Sequence, residues 1–458
     1  MKVSEGDLRA FVRKEAERFA VPGVSVGIFH EGQEHYAYHG VTCVENPLPV
    51  DDVTLFQFGS TGKTFTATAI MRLVEQGKID LEAPVRRYVP ELKLRDEGVA
   101  STVTVLQLLN HTAGWDGDMM DDTGNGDDAL TQYVGRMERI QQLTPVGTAV
   151  SYNNSALSLA GHVIAQVMEK TFEAAMQELI FEPLGLSCFY FPNDIMTRRF
   201  AVGHNRMTDG EIRVARPWAI PRSANPAGGI SSNARDQIAW ARFHMGDGRA
   251  PNGARLLEAA TLQRMQTATV DCFGNAIGDQ CGISWWLKRV GDVTKVSHGG
   301  TTNGQHSLFA MVPERQFAVI SLTNCGPNGP EFNDALEKWA LKTYLGVEVP
   351  DEVAADRPAD ELTDYVGRFE TIAAVCTVRV RGGGLEAEME PKPEFLAELH
   401  EEAPEPEPPI PLGLIPGGDR YVVTDGPGKG MTGYFRRDAS GKVDAVHLGG
   451  RLALRTGN

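Results

Sequence analysis

The chain lacks what a membrane protein needs. No run of roughly eighteen apolar residues occurs, so no spanning helix is expected. The opening segment MKVSEGDLRAFVRKEAERFAVPG is broken throughout by charges and has no apolar core or small-residue cleavage site, so a secretory leader is not expected either. Basic residues are in deficit: 44 Lys and Arg face 60 Asp and Glu, and the net charge of −16 repels nucleic acid and anionic lipid surfaces. Neither is expected as a partner. Cysteine is sparse: the six (Cys43, Cys188, Cys272, Cys281, Cys325, Cys376) contain no C-x-x-C pair. Free thiols in a reducing, cytoplasmic setting are the expectation, with Cys272 and Cys281 read as buried thiols ahead of a disulfide. What is present is an ordinary globular composition, 42% hydrophobic and 23% charged, in 458 residues. That length suits one large domain and a smaller one.

Leu8, Phe11, Val12, Glu15 and Phe19 follow helical spacing, with Ser4 and Asp7 as possible caps and Pro22-Gly23 as the stop. VSVGIF and HYAYHGV then read as a hairpin, and TGKTFTATAIMRLVEQGKI and SALSLAGHVIAQVMEKTF as helices. Val24 opens the region. Near its close, Thr294–Ser297, HSLFAMVP and FAVISLTN read as a three-strand meander, followed by the helical EFNDALEKWALKTYL. Strands at both ends with helices between predict an α/β domain built on one antiparallel sheet. The predicted organisation is a catalytic domain over 1–346, an acidic, proline-containing linker over 347–360 and a small β-barrel over 361–458. The barrel rests on short alternating runs such as TVRVRGGGLEAEME and GKVDAVHL.

The stretch FGSTGKTF, Phe58 to Phe65, carries the chemistry. A phosphate loop needs a glycine five positions before Gly62, where Gln57 stands, and a nucleophile elbow needs one two before Ser60, where Phe58 stands. The remaining pattern is S-x-x-K, with Ser60 and Lys63 one helical turn apart on one face. A serine hydroxyl is a poor nucleophile at neutral pH, and an amine can take its proton only if burial or a cationic neighbour lowers the amine's basicity. Such a pair occurs by chance in many helices, so it needs support. Tyr152-Asn153-Asn154 supplies a Y-x-N box before a helix, and His298-Gly299-Gly300 supplies an H-G-G box after a strand.

In order and separation these three boxes resemble the penicillin-recognising serine hydrolases: class C β-lactamases, DD-peptidases, D-aminopeptidases and related esterases. LLNHTAGW, ANPAGGISSNARDQIAWARF and HSLFAMVPERQFAVISLTN are similar to that family as well, and the likeness covers roughly Val24 to Leu345. It implies a β-lactamase/transpeptidase-like antiparallel sheet flanked by helices, an all-helical subdomain and, after it, a lipocalin-like barrel, since ELTDYVGRFE is similar to appended domains of some members. By resemblance Ser60 is acylated, Lys63 and Tyr152 share the proton traffic with the base undecided, and Asn154 binds the substrate amide and orients Lys63. The backbone N–H groups of Ser60 and Thr301 form the oxyanion hole, and Gly299 and Gly300 admit the substrate to the strand edge.

His298 departs from the lysine that β-lactamases carry at this box; being largely neutral at pH 7, it holds an anion weakly, so efficient β-lactam turnover is not expected. A small-molecule amide or ester substrate is expected, of the D-residue peptidase, amidase or esterase kind, without cofactor or metal, on a monomer or homodimer. A peptide cyclase or acyltransferase of the penicillin-binding type, and an acylated sensor without turnover, are the alternatives. His111 reads as structural, tying a loop to a helix. The acidic loop Asp116–Asp128 mimics the start of a calcium loop at Asp121, Thr123, Asn125 and Gly126, but Gln132 stands where a bidentate Glu is needed. It reads as a solvated loop whose charge favours substrates with a free amine. The proline-rich HEEAPEPEPPIP, around Glu405, is placed by the same reading to gate access.

Overall fold

The computed structural model describes residues 5–358, 360–399, 408–426 and 428–457. Helix α1 (Glu5–Arg18) buries Leu8, Val12 and Glu15 of the expected stripe together with Ala16, while Phe11 is half-buried and Phe19 lies past the helix end. Phe11 stacks on Trp339 with ring centroids 4.4 Å apart. The hairpin follows as β1 (Gly23–His30) and β2 (Gln33–Gly40). The remaining strands of the main sheet are β3 (Val270–Asp271), β4 (Gln280–Cys281), β5 (Trp286–Val290), β6 (Val293–Ser297), β7 (Gly300–Thr302), β8 (Gln305–Val312) and β9 (Phe317–Thr323). Their order is β2-β1-β9-β8-β6-β5-β4-β3, with β7 paired to β8. β1 and β9 run antiparallel from Val24↔Thr323 to Phe29↔Ala318, so strands from both ends of the region pair inside the sheet, one strand in from its edge. Both are buried along almost their whole length, because helices cover both faces.

Helices α2 (Gly62–Glu75), α3 (Asn154–Met168) and α4 (Ala234–Met245) share the larger core, and α5 (Asn328–Ala340) lies with α1 in the smaller one. Period two divides β1 between them: Val24, Val26 and Ile28 face α1 and α5, while a Cβ at Gly27 would lie 2.7 Å from Ile238 of α4. In the larger core Phe65 of α2 lies flat against Trp240 of α4, centroids 3.9 Å apart. The six cysteines are free, and Cys272 and Cys281 are buried.

The C-terminal strands β10 (Gly367–Glu370), β11 (Ala374–Arg381), β12 (Gly384–Pro391), β13 (Ile410–Leu414), β14 (Arg420–Val423), β15 (Thr432–Arg437), β16 (Val443–Leu448) and β17 (Arg451–Gly457) form a closed antiparallel barrel. Side chains fill it, among them Phe369, Val378, Leu412, Tyr421, Phe435 and Ala453. Two residues of the proline-rich segment, Ile410 and Pro411, belong to β13 rather than to a loop. Residues 400–407, and with them the expected gate around Glu405, lie outside the described residues. No helix among the described residues is long and apolar enough to cross a membrane.

Candidate active site

Ser60 sits in a short 3-10 turn, Gly59–Thr61, that leads into α2. Gly59 has φ +68°, a left-handed conformation that favours glycine, and a Cβ there would lie 2.6 Å from the backbone nitrogen of Thr301. The turn and strand β7 are therefore in backbone contact. Threonines and serines lock them together: the Thr61 hydroxyl donates to the His298 carbonyl at 2.8 Å, the Ser307 hydroxyl to Phe58 at 2.7 Å and Thr302 to Gln57 at 3.1 Å.

Lys63 lies one turn on, with Nζ 3.0 Å from Ser60 Oγ and donating to the carbonyl of Ala227 at 2.6 Å. Its side chain is wholly buried, and burial, reinforced by the Arg451 guanidinium, holds its pKa well below the usual lysine value, with Asp118 pulling the other way. Tyr152 covers this amine: Lys63 Nζ lies 4.9 Å from the ring centroid. Burial pushes the phenol's pKa up, against the pull of Ser60 and Arg451, so it remains protonated at neutral pH. An amine of lowered basicity and a protonated phenol thus lie beside one hydroxyl.

Asn153 caps α3, its side-chain oxygen accepting from Ala156 N at 2.8 Å, and this fixes Tyr152 and Asn154 on either side of the helix start. The Asn153 amide donates to His111 Nδ1 at 3.0 Å, and the His111 ring stacks on Tyr152 at 4.7 Å. His111 therefore ties a loop to the helix. Asn154 Nδ2 donates to Asp118 Oδ1 at 2.8 Å, whereas the carbonyl bonded to Lys63 is that of Ala227. The expected Asn154 hold on Lys63 is replaced by these two contacts.

His298 is 2% exposed and its ring centroid lies 6.2 Å from that of Tyr152. Burial and the Lys63 amine bring its pKa down to about 3, so it is neutral at pH 7. Nδ1 donates to the Gly299 carbonyl at 2.7 Å, and this tautomer leaves Nε2 a bare acceptor with no partner among the described residues. Gly299 and Gly300 run past the serine turn, and Thr301, exposed, has its hydroxyl 3.1 Å from His306 Nδ1. All eight residues singled out by sequence converge here.

The acidic loop departs from expectation. Asp116, Asp118, Asp121 and Thr123 are buried rather than solvated. Asp121 is bound by Arg136, at 3.1 Å, and by Arg139. Asp118 is held in a two-point fork by Arg451, Nε to Oδ2 at 2.9 Å and Nη2 to Oδ1 at 3.2 Å. Those three charges are buried, whereas Asp122, Asp127 and Asp128 of the same loop are exposed. Among the described residues no His, Cys, Asp or Glu group is placed to hold a metal.

Residues 8–343 match the family model described as Beta-lactamase. The chain belongs to the beta-lactamase family. Penicillin-binding protein 4 of Amycolatopsis lactamdurans is 32% identical over 357 residues, 76% of this chain and 93% of its own. The crystal structure of SurE is similar at 25% identity over 99% of both chains with a TM-score of 0.77. An octameric penicillin-binding protein homologue from Pyrococcus abyssi shares the fold over 99% of both chains, at 21% identity and a TM-score of 0.66. The last two likenesses run through the barrel, beyond the residues of the family match. Serine-hydrolase chemistry, broadly, accompanies this beta-lactamase family membership.

Sequence reasoning missed Arg451, Gly450 and Asp118 in this beta-lactamase-family pocket. The Gly450 carbonyl accepts the Tyr152 N–H at 2.8 Å, and the Arg451 guanidinium lies 4.7 Å from the Tyr152 ring centroid. Their only trace in the sequence is GGR between two alternating runs, which reads as a hairpin turn of the barrel.

Proposed function

We propose that the protein is a serine hydrolase that cleaves an amide or ester through an acyl-enzyme at Ser60. The observation that carries this reading is the buried Lys63 amine 3.0 Å from the Ser60 hydroxyl. Lys63, its pKa lowered by burial, takes the Ser60 proton as Oγ bonds the substrate carbonyl carbon. Tyr152 passes a proton to the departing nitrogen or oxygen as the C–N or C–O bond breaks. The N–H groups of Ser60 and Thr301 stabilise the oxyanion. Water, activated by the same pair, then releases the acid. His298 shapes the wall beside Tyr152, and Asn154, Gly299 and Gly300 line the substrate's path.

D-aminoacyl amides and esters, and simple carboxyl esters, are the substrate classes in this reading. β-Lactam turnover is slow, because the third box offers a neutral imidazole and the nearby cation, Arg451, is paired with Asp118.

A second reading, transfer of the acyl group to an amine as in a peptide cyclase, is supported by the barrel hairpin at Tyr152, which restricts the approach of bulk water. Intact mass spectrometry after treatment with a fluorophosphonate tests the common step: one adduct maps to Ser60 and is lost in Ser60→Ala. An adduct surviving in Ser60→Ala overturns both readings. Sustained p-nitrophenyl ester release supports hydrolysis, and preferential aminolysis on adding an amine supports transfer. A stoichiometric burst alone marks a sensor.

A further inference from the structure

We propose that the β16–β17 hairpin of the barrel is a working part of the catalytic centre, in which Arg451 and its partner Asp118 are positioning residues that hold Tyr152 and Asn154 against Ser60. The inference rests on the Ser60 acyl-enzyme reading and extends it to a second domain.

The residues on either side of Arg451 grip Tyr152, the first residue of the Y-x-N box, and Ser151 just before it. Leu452 N donates to Ser151 Oγ at 3.2 Å, while the Gly450 carbonyl takes the Tyr152 N–H at 2.8 Å. Between them the guanidinium sits 4.7 Å from the Tyr152 centroid and forks onto Asp118, whose Oδ1 also receives Asn154 Nδ2 at 2.8 Å. One side chain thereby sets the ring of Tyr152 and, through Asp118, the amide of Asn154. The turn is built for close approach: Gly450 has φ +90°, and a Cβ there would fall 2.6 Å from Ile277 and 3.5 Å from the Tyr152 Cβ.

Thr432, also of the barrel, donates to the Gly274 carbonyl at 3.2 Å, a contact away from the site residues named above. Docking alone does not require an ion pair that reaches two site residues, and a pair whose arginine is partly exposed adds little net stability. Its charges do matter to Lys63. The groups facing that amine are Arg451 and Asp118, which have opposite effects, the protonated Tyr152, and the neutral His111 and His298. While the fork is closed, Asp118 cannot hold Lys63 as an ammonium; with Arg451 gone, it can.

The test uses full-length Arg451→Met, Arg451→Lys and Asp118→Asn, with acylation by a p-nitrophenyl ester followed in single turnovers across pH. Arg451→Met is expected to acylate about 10–100-fold more slowly and to shift the acid limb of its pH profile to higher pH, because unpaired Asp118 favours protonated Lys63. Arg451→Lys restores the charge without the fork, so the limb returns while the rate remains reduced. Asp118→Asn moves the limb to lower pH. Should Arg451→Met fail to fold, Asp118→Asn, which keeps the hairpin's backbone contacts, decides through the direction of its shift. Arg451→Met acylating at the original rate with its limb in place, or an Asp118→Asn limb that stays put or rises, overturns the inference. Ser60→Ala separates the two levels: label in that variant sinks the acyl-enzyme reading, whereas its absence beside an unaffected Arg451→Met sinks only the role of the hairpin.

Discussion

Gly300 lies so close to the Ser60 amide that a Cβ at 300 would sit 2.6 Å from Ser60 N and 2.0 Å from the Phe58 carbonyl oxygen. Strand β7 and the nucleophile turn are thus held at a separation set by the absence of one methyl group. Gly300 is also the residue before Thr301, the second donor proposed for the oxyanion. The two N–H groups keep their spacing only while this contact stays bare.

Gly300→Ala forces the backbone at one of these two places to move. Acylation is expected to fall by about 10²–10³-fold, as when an oxyanion donor is lost. Overpacking destabilises by about 1–3 kcal/mol, seen as a lower Tm. A variant with unaltered kcat would show that the two backbones need not be in register for the reaction.

His298 titrates near pH 3, so between pH 5 and 8 it carries no charge. His298→Gln removes the bare Nε2 while retaining a polar side chain. The rate is expected to drop by up to about 10²-fold, the cost of displacing the neighbouring Tyr152 from its working position. The acid limb stays in place, since it belongs to Lys63. A limb that moved with this substitution would assign the titration to the imidazole and overturn the division of roles.

Burial lowers the pKa of His244, His298 and His447 to about 3 and that of His306 to about 4. An unfolded chain binds these protons near pH 6.5, so between that pH and about 3 the unfolded state carries more of them. Stability therefore rises with pH across the window and is lost as pH falls. Calorimetry at decreasing pH should show Tm falling from about pH 6.5 downward, and His244→Met should have a shallower slope. A flat Tm between pH 6.5 and 4 would contradict neutral burial of these rings.

Much of this protein is local in origin, and local features can be read from sequence. The spacing of Leu8, Val12 and Ala16 makes α1, the alternation in TVRVR and DAVHL makes barrel strands, and S-x-x-K puts an amine one turn from a hydroxyl because 3.6 residues close a turn. The order of the three boxes carried the family. What required the tertiary structure was every contact whose partners are far apart in the chain. Asp118 looked solvated because its partner is 333 residues away, and GGR looked like a plain turn because the tyrosine it grips belongs to another domain. Lys63 offers the same lesson at atomic scale. Sequence placed its amine beside Ser60, but the burial and the Arg451 charge that lower its basicity exist only once sheet, helices and barrel close around it.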